Sequence, residues 1–125
     1  MRKLTFEICG EDRDLVATFA ASVEIAEKVG DPLFITREAA VETVMLGEGI
    51  PYSPKWRFTV SNVPQVIHIG LKAAGEKVKL SEVQEWAFET GFPDAQRIAA
   101  EYIALITRPA PEESTGEAGD ADTGE

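Results

Sequence analysis

The sequence predicts an α+β domain, with a mainly helical body, a short N-terminal β-hairpin and a disordered acidic C-terminal tail. Two observations lead to this fold class. Apolar and polar residues alternate along "KLTFEIC" near the start, whereas from Ser22 onward apolar residues recur every three to four positions. The first pattern is typical of a strand and the second of helices. Because strands precede the helices and do not alternate with them, a parallel doubly wound sheet is disfavoured.

The predicted hairpin comes first in the chain. One face of its first strand carries Leu4, Phe6 and Ile8, and the opposite face is more polar. The segment "GEDRD", residues 10–14, predicts a polar turn, and "LVATF" predicts the returning strand. A third short strand is predicted at "KWRFTV", residues 55–60.

Two helices are predicted in the first half of the body. The first runs from about Ser22 to Val29, where Gly30 supplies a stop. The segment "DPLFI" is predicted to be a connector. The second helix begins at Thr36, whose hydroxyl can cap it, and continues to about Leu46. Its predicted inward residues are Ala40, Val41, Val44 and Met45.

Three more helices are predicted in the second half. Ser61 or Asn62 can cap a helix that reaches Ala74. A capping box at "SEVQ", residues 81–84, predicts a short helix whose apolar face is formed by Val83, Trp86 and Ala87. The last helix has the most regular apolar stripe, which consists of Ala95, Ile98, Ala99, Tyr102, Ile103 and Ile106.

Composition divides the chain into one globular domain, residues 1–108, and a tail, residues 109–125. The chain carries 22 acidic and 12 basic residues, a formal net charge of −10, and six of the acids lie in the tail. The tail has no large apolar side chain to offset the entropy of ordering, so it is predicted to be disordered. The domain itself, with 12 basic and 16 acidic residues, has a net charge of −4.

The charge and the apolar pattern exclude several classes of partner. An acidic protein repels phosphate, so neither nucleic acid nor an anionic membrane surface is an expected partner.

No stretch approaches the roughly 20 apolar residues of a membrane span, and "MRKLTFEICG" lacks a signal-peptide core. Cys9 is the only cysteine, which rules out an intramolecular disulfide and a multi-cysteine zinc site. A cytoplasmic protein is expected.

His68 is the only histidine and the first candidate for chemistry. On the predicted helix it falls on the polar face with Lys72, away from the inward residues Val63, Val66, Ile67, Gly70, Leu71 and Ala74. Catalysis needs a positioned partner and a cleft, and no nucleophile signature surrounds Cys9 to support a dyad. The protein is therefore not expected to be an enzyme.

A cluster of acidic residues occupies the predicted turn. Glu11, Asp12 and Asp14 supply oxygen atoms, but Arg13 interrupts them and the spacing of a calcium-binding loop is lacking. Gly70 and Gly75 lie within and at the end of a helix, where they do not form a phosphate-binding loop. No metal and no cofactor are predicted.

The segment "IPYSPKWRF", residues 50–58, is the strongest candidate for partner binding. Tyr52 and Trp56 are large side chains on a loop that prolines stiffen, and Lys55 and Arg57 lie beside them. The alternative is that these aromatic side chains fold back over the core. Stacking of single-stranded nucleic acid on Trp56 is disfavoured by the acidity of the protein.

Four segments occur in a characteristic order: "FAASVEIAEKVGDPL", "FTVSNVPQVIHIGLKAAG", "LSEVQEWAFETGF" and "IAAEYIALI". In this order, over roughly residues 15–106, the chain resembles the small tail assembly chaperones of siphophages and prophages, including the tail protein group of gene transfer agents. The segment "FITREAAVETVMLGEGIPYSPKW" is an insertion relative to the shortest such proteins.

The resemblance implies a non-enzymatic, cytoplasmic protein of the bacterial host cell. Such proteins coat the tape measure protein, keep it soluble and help to recruit the tail tube protein during virion assembly. Partner binding would use Tyr52 and Trp56 together with grooves lined by Leu71 and Trp86, and weak self-association into a homo-oligomer would add avidity. The alternative hypotheses are a small structural tail or head-completion protein retained in the virion and, third, a small enzyme or regulatory domain.

Overall fold

A computed structural model describes residues 2–109, which form a two-stranded hairpin followed by five helices. The elements are β1 (Arg2–Ile8), β2 (Glu11–Ala17), α1 (Phe19–Lys28), α2 (Pro32–Gly47), α3 (Asn62–Ala73), α4 (Leu80–Thr90) and α5 (Phe92–Thr107). The prediction of a mainly helical α+β protein with an N-terminal hairpin is confirmed. The predicted disordered tail lies outside the described residues from Ala110 onward.

The hairpin closes through a two-residue turn. Ile8 pairs with Glu11, so only Cys9 and Gly10 connect the strands, with φ angles of 56° and 86°. Two residues with positive φ suit the right-handed twist of a hairpin. The predicted turn at 10–14 is wrong, because residues 11–14 already belong to β2. The alternation predicted for β1 is confirmed: its apolar residues face the core and the residues between them are exposed.

Helix α3 is the central element of the fold. It packs against β2, α1, α4 and α5. Its buried residues are Val63, Pro64, Val66, Ile67, Ile69, Gly70 and Leu71. The prediction of a single inward stripe missed Pro64 and Ile69, because a helix enclosed by four elements is buried over most of its circumference.

Helix α5 closes the core on another side. All residues of its predicted stripe are buried except Ile106, which is half-buried. The fully buried Tyr102 donates its hydroxyl to the backbone carbonyl of Val16 in β2 at 2.6 Å. This bond satisfies the one polar atom of a large apolar side chain and ties the last helix to the hairpin.

The first two helices begin earlier than predicted because residues before them act as caps. The hydroxyl of Thr18 accepts the amide of Ala21 at 3.0 Å, so α1 begins at Phe19. The carboxylate of Asp31 accepts the amide of Leu33 at 2.9 Å, and Pro32 occupies the first turn of α2. Both caps provide an acceptor for an otherwise unpaired amide. The predicted connector at 31–35 is therefore wrong.

Helix α3 begins where predicted, with Ser61 at its N-cap position, although the Ser61 side chain makes no capping hydrogen bond, whereas α4 begins earlier than predicted. Before α3, Thr59 and Asn62 exchange hydrogen bonds: the amide of each donates to the side chain of the other, at 2.7 and 3.1 Å. Before α4, the carboxylate of Glu82 accepts the amide of Lys79 at 2.9 Å. Ser81 is thus inside α4 and does not cap it. Two residues of the predicted apolar face of α4, Val83 and Ala87, are fully buried.

Candidate interaction surface

The four residues predicted to bind a partner do not form one exposed surface. Leu71 is fully buried in α3, so the prediction of a surface groove lined by this residue is corrected. Trp86 is half-buried on α4 and packs against the core. Tyr52 and Trp56 are half-buried in the segment between α2 and α3. Partner binding by Tyr52, Trp56 and Trp86 stays a prediction.

Trp56 is held against the end of α1. Its indole Nε1 donates to the carbonyl of Val29 at 3.3 Å. A Cβ added to Gly30 would lie 2.7 Å from the same nitrogen, so the ring needs a glycine beneath it. Phe58 packs edge-on against the indole, with ring centroids 4.8 Å apart. This geometry corresponds to the alternative reading, in which the loop aromatics cover the core.

A buried carboxylate fastens this loop to α2. Oε1 of Glu38 accepts the hydroxyl of Tyr52 at 3.0 Å and the backbone amide of Lys55 at 2.7 Å. The side chain of Glu38 lies in the interior, with the residue 6% exposed. These bonds hold the segment in an extended path along α2, and residues 55–60 therefore do not form the predicted strand. Sequence reasoning missed Glu38. The available signal was its spacing, because Glu38 lies three residues after the apolar Ile35 and therefore shares its helix face, which is buried.

The hydrogen bonds of this anchor act on both titratable groups. The amide of Lys55 lowers the pKa of Glu38, and the hydroxyl of Tyr52 adds to this effect, while burial opposes it. In turn, the hydrogen bond to Glu38 raises the pKa of Tyr52. Hydrogen bonds to a carboxylate favour its charged form, so the anchor is made by an ionised Glu38 and a neutral Tyr52.

Helix α2 presents apolar side chains to solvent. Only Pro32, Ile35 and Glu38 are buried. Leu33 is 69% exposed and Val44 is 60% exposed, and both lie on the outer face because they are three turns apart. Ala40 and Val44 were predicted to face inward and are exposed, whereas Val41 and Met45 are half-buried. The prediction failed because α2 is apolar on every side, and a pattern of this kind does not identify the buried face.

Helix α1 continues this apolar region. Phe19, which is 85% exposed, and Val23 are four residues apart and share a helix face. Val23 and Leu33 both line a cleft of about 290 Å³ between α1, α2 and the end of α5. We define the α1–α2 surface as Phe19, Val23, Leu33 and Val44. No single segment reveals this surface, because it depends on how the two helices meet.

His68 and Cys9 lie in separate surroundings. His68 is half-buried, and burial together with the nearby Lys72 ammonium lowers its pKa, which favours the neutral imidazole. The thiol of Cys9 donates to the carbonyl of Glu82 at 3.6 Å, and burial raises its pKa. Within residues 2–109, no three His, Cys, Asp or Glu side chains come together in a way that could hold a metal ion.

Over residues 2–109, none of the helices combines the length and the apolar character needed to cross a membrane. No protein-family model matches the chain, and neither a curated protein nor a solved structure is significantly similar to it.

Proposed function

We propose that this chain is a non-enzymatic tail assembly chaperone of a phage or prophage, which acts in the cytoplasm of the bacterial host cell. The observation that carries the proposal is the α1–α2 surface, where large apolar side chains are exposed on two adjacent helices. Exposed apolar patches of this kind mark protein interaction sites. The order of the four segments quoted above, which resembles tail assembly chaperones, supports the same function.

The proposed mechanism is reversible masking of an apolar helical stripe on the tape measure protein. Leu33 and Val44 lie on one face of α2, with the exposed Arg37 and Ala40 between them, and the cleft beside Leu33 and Val23 has room for apolar side chains of a partner helix. At about 25 cal/mol per Å² of apolar surface, burying the exposed part of each such side chain contributes roughly 1–2 kcal/mol. A few contacts of this size give weak binding, which suits a chaperone that is released when the tail tube protein assembles.

Co-expression with the tape measure protein tests this function. We expect the wild-type chain to keep the tape measure protein in the soluble fraction. Leu33→Glu and Val44→Glu should reduce that fraction, because each places a charge on the α1–α2 surface. Gln84→Glu adds the same charge at an exposed position on α4 and is the matched control. Solubility of the tape measure protein that is the same with and without this chain would refute the proposal.

Mass spectrometry of purified particles separates the chaperone from the alternative structural protein. A chaperone acts before the tail is complete, so its peptides should be missing from mature particles while those of the tail tube protein are abundant. Stoichiometric recovery of this chain from the particles would favour a tail or head-completion protein retained in the virion.

A further inference from the structure

Within the part of the chain that the structure describes, no strand pairs with the outer edge of β1. Within residues 2–109, β1 pairs with β2 on one side, and the sheet has no other strand. The edge of a strand carries backbone donors and acceptors that can pair with a further strand.

Strand β1 is complementary to itself in the antiparallel direction. If a second copy of β1 pairs with it about Thr5, Lys3 lies opposite Glu7 of the second copy, and Leu4 lies opposite Phe6 of the second copy. Thr5 then lies opposite Thr5. Opposite charges, an aliphatic–aromatic pair and a threonine pair are each favourable across strands. A shift by one residue would place the apolar side chains on the wrong face, and a shift by two would separate Lys3 from Glu7, so both patterns favour the pairing about Thr5.

The charges within one copy favour this partner. Glu7 lies opposite Asp12 in the hairpin, and both residues are exposed. Like charges directly opposite each other destabilise a strand pair. Lys3 is also exposed, with its ammonium 3.6 Å from Asp14. In the paired arrangement, Lys3 of the second copy lies beside Glu7 on its open side and offsets the repulsion from Asp12.

The inner face of β1 is incompletely covered. Leu4 and Phe6 point toward the core but remain half-buried, whereas Leu15 on β2, which lies opposite Leu4, is fully buried. A second copy of β1 would bring Phe6 against Leu4 twice, once on each side of the twofold axis. The same pairing therefore forms the Lys3–Glu7 pairs on the exposed face and buries apolar surface on the inner face.

We propose that two copies of this chain associate through β1 into a four-stranded antiparallel sheet, in the order β2–β1–β1–β2, with the twofold axis at Thr5. This inference does not depend on the proposed function. A seven-residue strand is about 24 Å long and offers less contact than the ~800 Å² per partner of a stable complex. The dimer is therefore weak and forms in a concentration-dependent manner.

Disulfide trapping tests the register. In a Cys9→Ser background of the full chain, Thr5→Cys places two thiols opposite each other, within the range that a disulfide spans. We expect a covalent dimer under mild oxidation. Lys3→Cys is the matched control, because its two copies would lie about 14 Å apart along the strands. Lys3→Cys mixed with Glu7→Cys should again form a covalent dimer. Equal trapping of Thr5→Cys and Lys3→Cys, or trapping of neither, would overturn the proposal.

Charge exchange tests the same dimer without a cross-link. Sedimentation over a concentration series should show that Lys3→Glu and Glu7→Lys each weaken dimerisation about tenfold, because each variant creates two like-charge pairs. The double variant Lys3→Glu/Glu7→Lys restores both pairs and should recover the wild-type affinity. Circular dichroism of each variant checks that the monomer is folded. A wild-type chain that stays monomeric throughout the series, or a double variant as weak as the single variants, would contradict the model of association.

Discussion

The ring of Tyr102 lies so close to Gly70 that a Cβ at position 70 would come within 3.0 Å of the Tyr102 Cζ atom. Leu15 closes the same space from β2, with its Cδ2 atom 3.1 Å from that position. Three elements of the core, β2, α3 and α5, therefore meet at a residue without a side chain. Gly70 was predicted to face inward, and the structure identifies the side chain that fills the space beside it.

Replacing this glycine tests the packing. Gly70→Ala should raise helix propensity by ~1 kcal/mol but cost about 1–3 kcal/mol through overpacking. We expect a net loss in the free energy of unfolding of ~1 kcal/mol, measured by urea denaturation. Gly47→Ala is the matched control, because nothing lies within 4 Å of an added Cβ at the end of α2. It should leave stability unchanged or raise it, and equal gains in both variants would show that the ring of Tyr102 moves freely aside.

The hairpin turn offers a stabilising change. Cys9 has a φ of 56°, a conformation that asparagine adopts more readily than other non-glycine residues. Cys9→Asn should raise the free energy of unfolding by about 0.5 kcal/mol, because the side-chain amide can also donate to the Glu82 carbonyl. Cys9→Val should lower it, since β-branched residues resist this conformation. Thermal unfolding of the two variants compares them, and a more stable valine variant would contradict the role of the backbone angle.

An ion pair between α1 and α3 makes the free energy of unfolding depend on pH. Glu24 on α1 accepts hydrogen bonds from Lys28 at 2.8 Å and from Lys72 on α3 at 2.6 Å. These two bonds lower the pKa of Glu24 below its ordinary value of 4.5. The contribution is present above pH 4.5 and is lost as the pH falls through the lowered pKa of the folded state.

Glu24→Gln should therefore reduce stability near neutral pH and flatten the decline below pH 4.5, measured as the free energy of unfolding against pH. Glu89→Gln removes an exposed carboxylate on α4 and serves as the control. A profile of Glu24→Gln that runs parallel to the wild type through this range would contradict the ion-pair contribution.

His68 adds a second dependence at higher pH. Burial and Lys72 lower its pKa below the ordinary value of 6.5, so the unfolded chain binds a proton more readily than the folded one. Stability should consequently decline as the pH falls below 6.5, until the folded state also takes up the proton. His68→Gln should remove this part of the decline. NMR titration of the single imidazole measures the pKa directly, and a value above 6.5 would reverse the expected sign.

Elements that pack on one side were predictable from the sequence. The alternation in β1 and the stripe on α5 identify the buried residues because each has one face toward the core. The start of α2 was not predictable from periodicity, since Asp31 and Pro32 act through local capping. The path of residues 51–58 depends on Glu38, which lies 14 and 17 residues before its two donors, and a short window does not contain both partners.

The interaction surface was the hardest feature to predict. The spacing of Leu71 places it on the apolar face of α3, but the sequence pattern does not reveal that four elements enclose this helix and bury Leu71 completely. Val44 was placed inward for the same reason, and it is exposed. Which apolar residues remain on the outside depends on the arrangement of whole helices, and this information is not contained in the periodicity of any single one.

The Glu38 anchor makes α2 and the following loop one cooperative unit. Helix α2 buries few side chains, so we expect it to open at low free energy. Because Tyr52 and Lys55 are bonded to Glu38, opening of the helix also releases the loop. A ligand that covers Leu33 and Val44 on the outer face would thus slow amide hydrogen exchange in residues 51–58, which it does not touch.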